Sequence, residues 1–170
     1  MSESLIKQSE VLNTVACYVE GIGFLGTTTK AELPKIEFET LESKNGLGTK
    51  KIHTAKLKAM EAKFEINEVN AVYFAALKKR TEEVVLWVKT HSYSGKSENK
   101  FVATLKGQIS AFESFTPEQG KETTEKFTLD VSFYKRELND ITQCLIDLDN
   151  GVCEIDGTDV WEEQRNHFIG

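Results

Sequence analysis

The sequence predicts a mainly β, antiparallel fold with one flanking α-helix, and three observations carry that reading. Apolar and polar residues alternate with period two in many separate stretches, the pattern of strands with one face on a core. One segment switches to the spacing of an amphipathic helix. Near the end, two short alternating runs flank Asn150-Gly151, a dipeptide suited to the positive φ angles of a two-residue hairpin turn.

The elements follow in chain order. Val15 to Glu20 and Ile36 to Glu42 read as strands. Ser43 to His53 holds two glycines and three lysines with little to bury, and reads as a long loop. Met60, Ala62, Phe64 and Ile66 alternate with Glu61, Lys63 and Glu65, a half-buried strand. Val69, Val72, Tyr73, Ala76 and Leu77 then fall at i, i+3, i+4, i+7 and i+8, which predicts a helix over about 67–80. Asn67 can cap its start, and Lys78, Lys79 and Arg80 suit the negative end of its dipole.

Val84 to Ser92 is the next strand. From Phe101 to Ala111 the odd positions are apolar, with Gly107 interrupting. Thr116 to Glu125 is a polar connection. Phe127, Leu129, Val131 and Phe133 then alternate with Thr128, Asp130, Ser132 and Tyr134. In the final hairpin, Cys144 to Asp149 and Val152 to Asp156, a two-residue turn sets Leu148 opposite Cys153 and Ile146 opposite Ile155. It also turns Asp147 toward Glu154, a like-charge pair that costs free energy in a sheet.

The chain has 170 residues, 39% hydrophobic and 28% charged, which suits one domain over 1–170 with one core. A net charge of −6 argues against sequence-independent grip on nucleic acid and against docking on an anionic membrane. Met1 to Glu10 contains no apolar run of the secretory kind, and no stretch approaches a membrane span. Cys17, Cys144 and Cys153 have no CxxC spacing and lie in alternating stretches. They read as small buried hydrophobes of a reducing cytoplasm.

Catalytic patterns are nearly missing. His53, His91 and His167 are scattered, and no HExxH, GxSxG or phosphate-loop motif occurs. Gly21, Gly23 and Gly26 spell GxGxxG, but β-prone Thr27-Thr28-Thr29 follows where a helix is required, so the glycines read as a tight turn. Asp147 to Gly151 resembles the start of a calcium loop, yet glycine comes at the fifth position and Thr158 stands at the twelfth. The sequence therefore implies no catalytic residue, metal or cofactor. Half-exposed strands with unmanaged edges point instead to assembly or binding.

Two stretches carry a resemblance. Ala31-Glu-Leu33-Pro34-Lys35-Ile36, with Glu42 and Asn45-Gly46-Leu47-Gly48, is similar to the major tail tube proteins of contractile-tailed temperate phages. Phe133-Tyr134-Lys135-Arg136, the acidic hairpin, and Trp161 through Gln164, Arg165, Asn166 and His167 to Gly170 resemble the same family. The resemblance spans nearly the whole chain. It implies two packed antiparallel sheets, a β-sandwich or half-barrel, in hexameric rings whose sheets join into a continuous inner β-barrel. It also implies that stacked rings form a tube inside a contractile sheath, with further copies of itself, sheath, tape-measure, baseplate and tail-terminator proteins as partners. DNA would pass through the lumen without specific binding. The chain would be made in the host bacterial cytoplasm and end in the virion, with no membrane anchor.

Two site expectations follow. Ring stacking is expected through the N-terminal arm 1–14 and through Lys44, Asn45, Gly46, Leu47, Gly48, Lys50 and Lys51, the lysines meeting acids on the next ring. Asp147, Asp149 and Glu154 are the expected acidic lining of the lumen, where carboxylates repel phosphate. The alternatives are a tube subunit of a phage-derived bacteriocin or secretion device, and a β-sandwich binding module of a tail or baseplate.

Overall fold

The computed structural model describes residues 11–20, 23–24, 28–67, 72–78, 82–94 and 97–169. The elements are β1 (Val11–Val19), β2 (Gly23–Phe24), β3 (Thr28–Glu32), β4 (Phe38–Asn45), β5 (Gly48–Leu57), β6 (Met60–Ile66), α1 (Val72–Lys78), β7 (Val84–Ser94), β8 (Ser97–Glu113), β9 (Glu125–Leu138), β10 (Ile141–Asp147), β11 (Val152–Ile155), β12 (Thr158–Asp159) and α2 (Glu162–Ile169). The fold is mainly β, in two antiparallel sheets that do not close into a barrel within one chain. The larger sheet runs β12-β11-β10-β9-β8-β7-β1-β2, with β6 and then β3 branching from β9; β4 and β5 form the smaller one.

The branch arises because β9 is long. Its first half, Glu125 to Val131, pairs with β6, and its second half, Phe133 to Leu138, pairs with β10 along the same edge. Ser132 sits at the fork, where its carbonyl accepts from the Leu148 N–H at 3.0 Å. The β8–β9 register shifts between Lys106 and Gly107 at this point. That bulge reverses which positions face inward: Phe127, Leu129 and Val131 are buried, then Tyr134, while Phe133 turns outward and is only half-buried. The expected alternation therefore holds up to Val131 and fails at Phe133. Gly107 permits the bulge, since a Cβ there would lie 1.9 Å from the Asp130 carbonyl oxygen.

One core joins the branches. Phe64 and Phe127 stack with centroids 4.8 Å apart, and Leu86, Leu105, Leu129, Tyr134 and Ile146 are essentially inaccessible. Cys17, Cys144 and Cys153 are buried free thiols within it, at the inward positions of their strands. Phe38 and Leu57 from the base of the β4–β5 hairpin, Leu77 of α1 and Trp161 pack onto it.

Three expectations need correction, and a fourth falls partly outside the described residues. Ser43 to His53 is no loop: it is the distal half of the β4–β5 hairpin, turning at Gly46-Leu47. Of the expected 67–80 helix the described part is Val72–Lys78, and the described bonds of the Asn67 side chain go elsewhere. Its side-chain amide bonds Glu122 Oε2 at 2.9 Å, and its carbonyl accepts from Thr124 Oγ1 at 3.0 Å, which ties down the 114–124 connection. The last hairpin pairs Ile146 with Cys153 and Asp147 with Val152, two residues away from the expected register. The Asp147 carboxylate accepts from Asp149 N, Asn150 N and Asn150 Nδ2, closing a four-residue loop in which only Gly151 takes a positive φ. That side-chain turn wins over the two-residue turn. Because a slip of two preserves sidedness, Cys144, Ile146 and Cys153 still face inward. Finally, the chain ends in a second helix, α2, that no apolar stripe announces. Residues 1–10, Gly21, Gly26, Val69, Lys79, Arg80 and Gly170 lie outside the described residues.

Candidate assembly surfaces

The hairpin of β4 and β5 extends past the core. From Thr40 to His53 every residue is exposed, including Leu41 at 60% and Leu47 completely. Leu41 lies directly across from Ile52, so an apolar pair shows to solvent on one face. Glu42 faces Lys51, Ser43 faces Lys50 and Lys44 faces Thr49. Asn45 Oδ1 accepts from Leu47 N and Gly48 N, both at 2.9 Å, and so shapes the tip. All seven stacking candidates, Lys44 to Gly48 with Lys50 and Lys51, are thus brought together at one protruding end.

The root of this arm is fixed by residues that the sequence reading missed. Trp161 Nε1 donates to the Ala55 carbonyl at 2.6 Å. Asp159 accepts from Arg165 Nη1 at 2.6 Å, Trp161 N at 3.0 Å and Cys153 N at 3.4 Å. Arg165 Nη1 also bonds the Gly151 carbonyl at 3.0 Å, so α2 is clamped to the β10–β11 loop. Burial opposes charge on Asp159, but Arg165 and the two N–H groups outweigh it and hold the carboxyl below its usual range. Glu162 and Glu163 at the start of α2, where acids suit the dipole, are the sequence signal that marks the helix.

The three acidic candidates lie close together on the opposite side of the large sheet from its core. Asp147 and Glu154 point outward on β10 and β11, and Asp149 is in the intervening loop. Asp147 and Asp149 share their surroundings with a cation. Lys106 pairs with Glu83 at 3.0 Å, and both Asp149 and Asp147 help hold its ammonium protonated. Glu83 also accepts from Ser132 Oγ at 2.8 Å, which with Lys106 holds its carboxyl below the usual range.

A cavity of about 410 Å3 opens among β1, β3, β7, β8 and β9, lined by apolar groups such as Val15, Leu33, Val88 and Phe101 together with Lys30 and Arg136. Arg136 stacks over Phe101 at 5.1 Å and donates from Nε to Gln143 Oε1 at 2.8 Å. Among the described residues no group of three or more His, Cys, Asp or Glu is arranged to hold a metal ion.

This β fold, with its protruding hairpin, is similar to that of chains from contractile injection systems. It matches a chain of the sheath/tube terminator of the PVC extracellular contractile injection system in its extended state, at a TM-score of 0.56 and 10% identity, covering 74% of this chain and 94% of the other. A chain of the PVC sheath–tube complex gives 0.54 and 10%, covering 72% and 87%. A chain of the tube-terminating cap of the anti-feeding prophage gives 0.57 and 12%, covering 80% and 95%. No curated protein sequence matches. The family model for phage tail tube protein FII matches residues 9–169, and the chain belongs to that family of structural tail tube proteins.

Proposed function

We propose that this chain is the major tail tube subunit of a contractile tail, assembling with itself into hexameric rings that stack into the inner tube and form the conduit for DNA ejection. The observation that carries the reading is the β4–β5 hairpin, rooted in the core but exposing Leu41, Leu47 and Ile52 along an arm that nothing among the described residues covers. Exposed apolar groups on a structured arm fit a surface that a neighbouring copy buries. Lys44, Lys50 and Lys51 reach acids on the next ring, and the N-terminal segment 1–14 joins the same contact. The sheath surrounds this tube, the tape-measure protein occupies it during assembly, and baseplate and terminator proteins meet its two ends. The subunit is made in the host cytoplasm and resides in the virion.

Negative-stain electron microscopy of the purified protein over a concentration series, with and without baseplate, tests the reading. Hollow rings or tubes of uniform width are expected. A monodisperse particle that baseplate does not convert to tubes leaves a binding module in its place. The double substitution Lys50→Glu with Lys51→Glu is expected to shorten or abolish tubes, and unchanged tube length overturns the stacking role.

A second reading, a tube of a phage-derived injection device, is favoured by the fold match to chains of extracellular contractile injection systems. Nucleic acid recovered from intact particles speaks for the phage tail, and protein cargo for the device.

A further inference from the structure

We propose that Asn45 is a self-modification site: the backbone nitrogen of Gly46 attacks the Asn45 carboxamide, ammonia leaves, and water opens the resulting succinimide to isoaspartate and aspartate. The reaction needs no enzyme and no partner, so it proceeds in the free chain at the tip of the β4–β5 arm.

The sequence holds two Asn-Gly pairs, Asn45-Gly46 and Asn150-Gly151, and the fold treats them differently. Glycine matters to both, because a side chain on the following residue crowds the approach of its nitrogen and restricts the backbone rotation that the approach needs.

At Asn45 the reacting groups are set up. Its Oδ1 accepts from Leu47 N and from Gly48 N, both at 2.9 Å. Both donors come from the chain just beyond Gly46, so they keep the carboxamide folded toward that residue's nitrogen. They also polarise it. As Gly46 N adds to Cγ, the π electrons of the carbonyl move onto Oδ1, and two N–H groups already aimed there stabilise the charge that develops. Every residue from Thr40 to His53 is exposed, so water reaches the ring that it must open. Nothing lies within 4 Å of a Cβ built on Gly46.

Asn150 is held the other way. Its Nδ2, the nitrogen that must leave, donates to Asp147 Oδ2 at 2.6 Å, and its backbone N–H donates to Asp147 Oδ1 at 3.2 Å. A carboxylate accepting from that amide pushes electron density toward its carbonyl carbon and makes the carbon a poorer electrophile. The Gly151 carbonyl takes a bond from Arg165 Nη1 at 3.0 Å, which restrains the glycine that carries the nucleophile.

The atoms balance with water as the co-reactant. The bond from Gly46 N to Cγ forms, the bond from Cγ to Nδ2 breaks, and the Gly46 amide proton leaves with the ammonia. Hydrolysis at one succinimide carbonyl gives an aspartyl chain, and at the other it routes the backbone through Cβ and Cγ. That isoaspartyl form adds a methylene to the main chain where Asn45 pairs with Gly48, the last pair of the hairpin. Both forms put a carboxylate beside Lys44.

Peptide mapping of the full chain aged in heavy-oxygen water at mildly alkaline pH tests the assignment. The native protein is expected to take heavy oxygen into the Asn45 peptide, mainly as isoaspartate, on the order of tenfold faster than into the Asn150 peptide, a small part of what two oxyanion donors can supply. In denaturant the two peptides are expected to convert at similar rates, because both are Asn-Gly. Gly46→Ala is expected to suppress conversion at Asn45 and leave Asn150 unchanged, with the fold kept because the added methyl meets nothing. Equal native rates, a native lead for Asn150, or a ratio that denaturant leaves unchanged overturns the assignment. Conversion at Asn45 that survives Gly46→Ala overturns Gly46 N as the nucleophile.

Discussion

Trp161 and Ala55 stand 106 residues apart in sequence and are joined by a 2.6 Å hydrogen bond from the indole Nε1 to the backbone carbonyl. The bond ties the segment before α2 to the strand that carries the stacking arm. Ala55 lies just where β5 passes from exposed arm to half-buried base. Trp161→Phe keeps the aromatic packing and leaves that carbonyl unpaired, which costs about 1–3 kcal/mol in a partly buried setting. Chemical denaturation is expected to show that loss as a lowered midpoint with unchanged slope. Amide exchange in β5 should quicken more than exchange in β8. Equal protection of the two strands in the variant contradicts the coupling.

Gly107 makes a sharper prediction. A methyl group there meets the Asp130 carbonyl oxygen at 1.9 Å, and the obstacle is backbone that cannot swing away. Gly107→Ala must open the β8–β9 pairing at the fork or flatten the bulge, and overpacking of this kind costs about 1–3 kcal/mol or more. Gly46→Ala at the arm tip is the control, since nothing lies within 4 Å of its added methyl. Thermal unfolding should separate the two variants clearly. Equal melting temperatures remove the structural role assigned to Gly107.

This same fork explains what the sequence could and could not disclose. Strands such as Met60–Ile66 were legible because one face is buried and the other wet, so the period-two pattern is written in side-chain type. The arm was not legible, because both faces of Thr40 to His53 are exposed and alternation has nothing to record. Tyr134 and Phe133 exchanged their expected places because a backbone bulge, not a side-chain preference, sets their sidedness. The last hairpin was found and its register missed, since the Asp147 carboxylate, rather than the Asn150-Gly151 dipeptide, determines the loop. The stacking candidates came together because they are contiguous. The Asp159–Arg165 clamp escaped because its meaning depends on Cys153 and Gly151, which reach it only through the fold.

Acid should loosen the root of the arm. Glu37 accepts from Lys35 at 2.8 Å and Lys58 at 2.7 Å, and these partners draw its carboxyl down from 4.5 to about 2. The native state thus holds this proton more weakly than the unfolded chain does. The contribution of Glu37 is complete above the ordinary carboxylate range and is lost as pH falls through about 2. Protease susceptibility of the arm should rise across that window, and Glu37→Gln should flatten the dependence. A variant whose profile matches the parent assigns the acid effect to other carboxylates.

The thiols respond at the other end of the pH scale. Burial pushes Cys17 and Cys153 up from 9.0 to about 11, with the Asp159 charge adding to the effect at Cys153. The fold favours the neutral thiol, so stability is unaffected below the ordinary thiol range and declines as pH rises from about 9 toward 11. Thiolate is the reactive species, and a buried neutral thiol reacts only when the strand around it opens. Native protein near neutral pH should therefore leave a disulfide-exchange chromophore almost unconsumed, whereas denaturant should release all three cysteines. Rapid reaction of the folded chain would show that the β10–β11 layer opens readily.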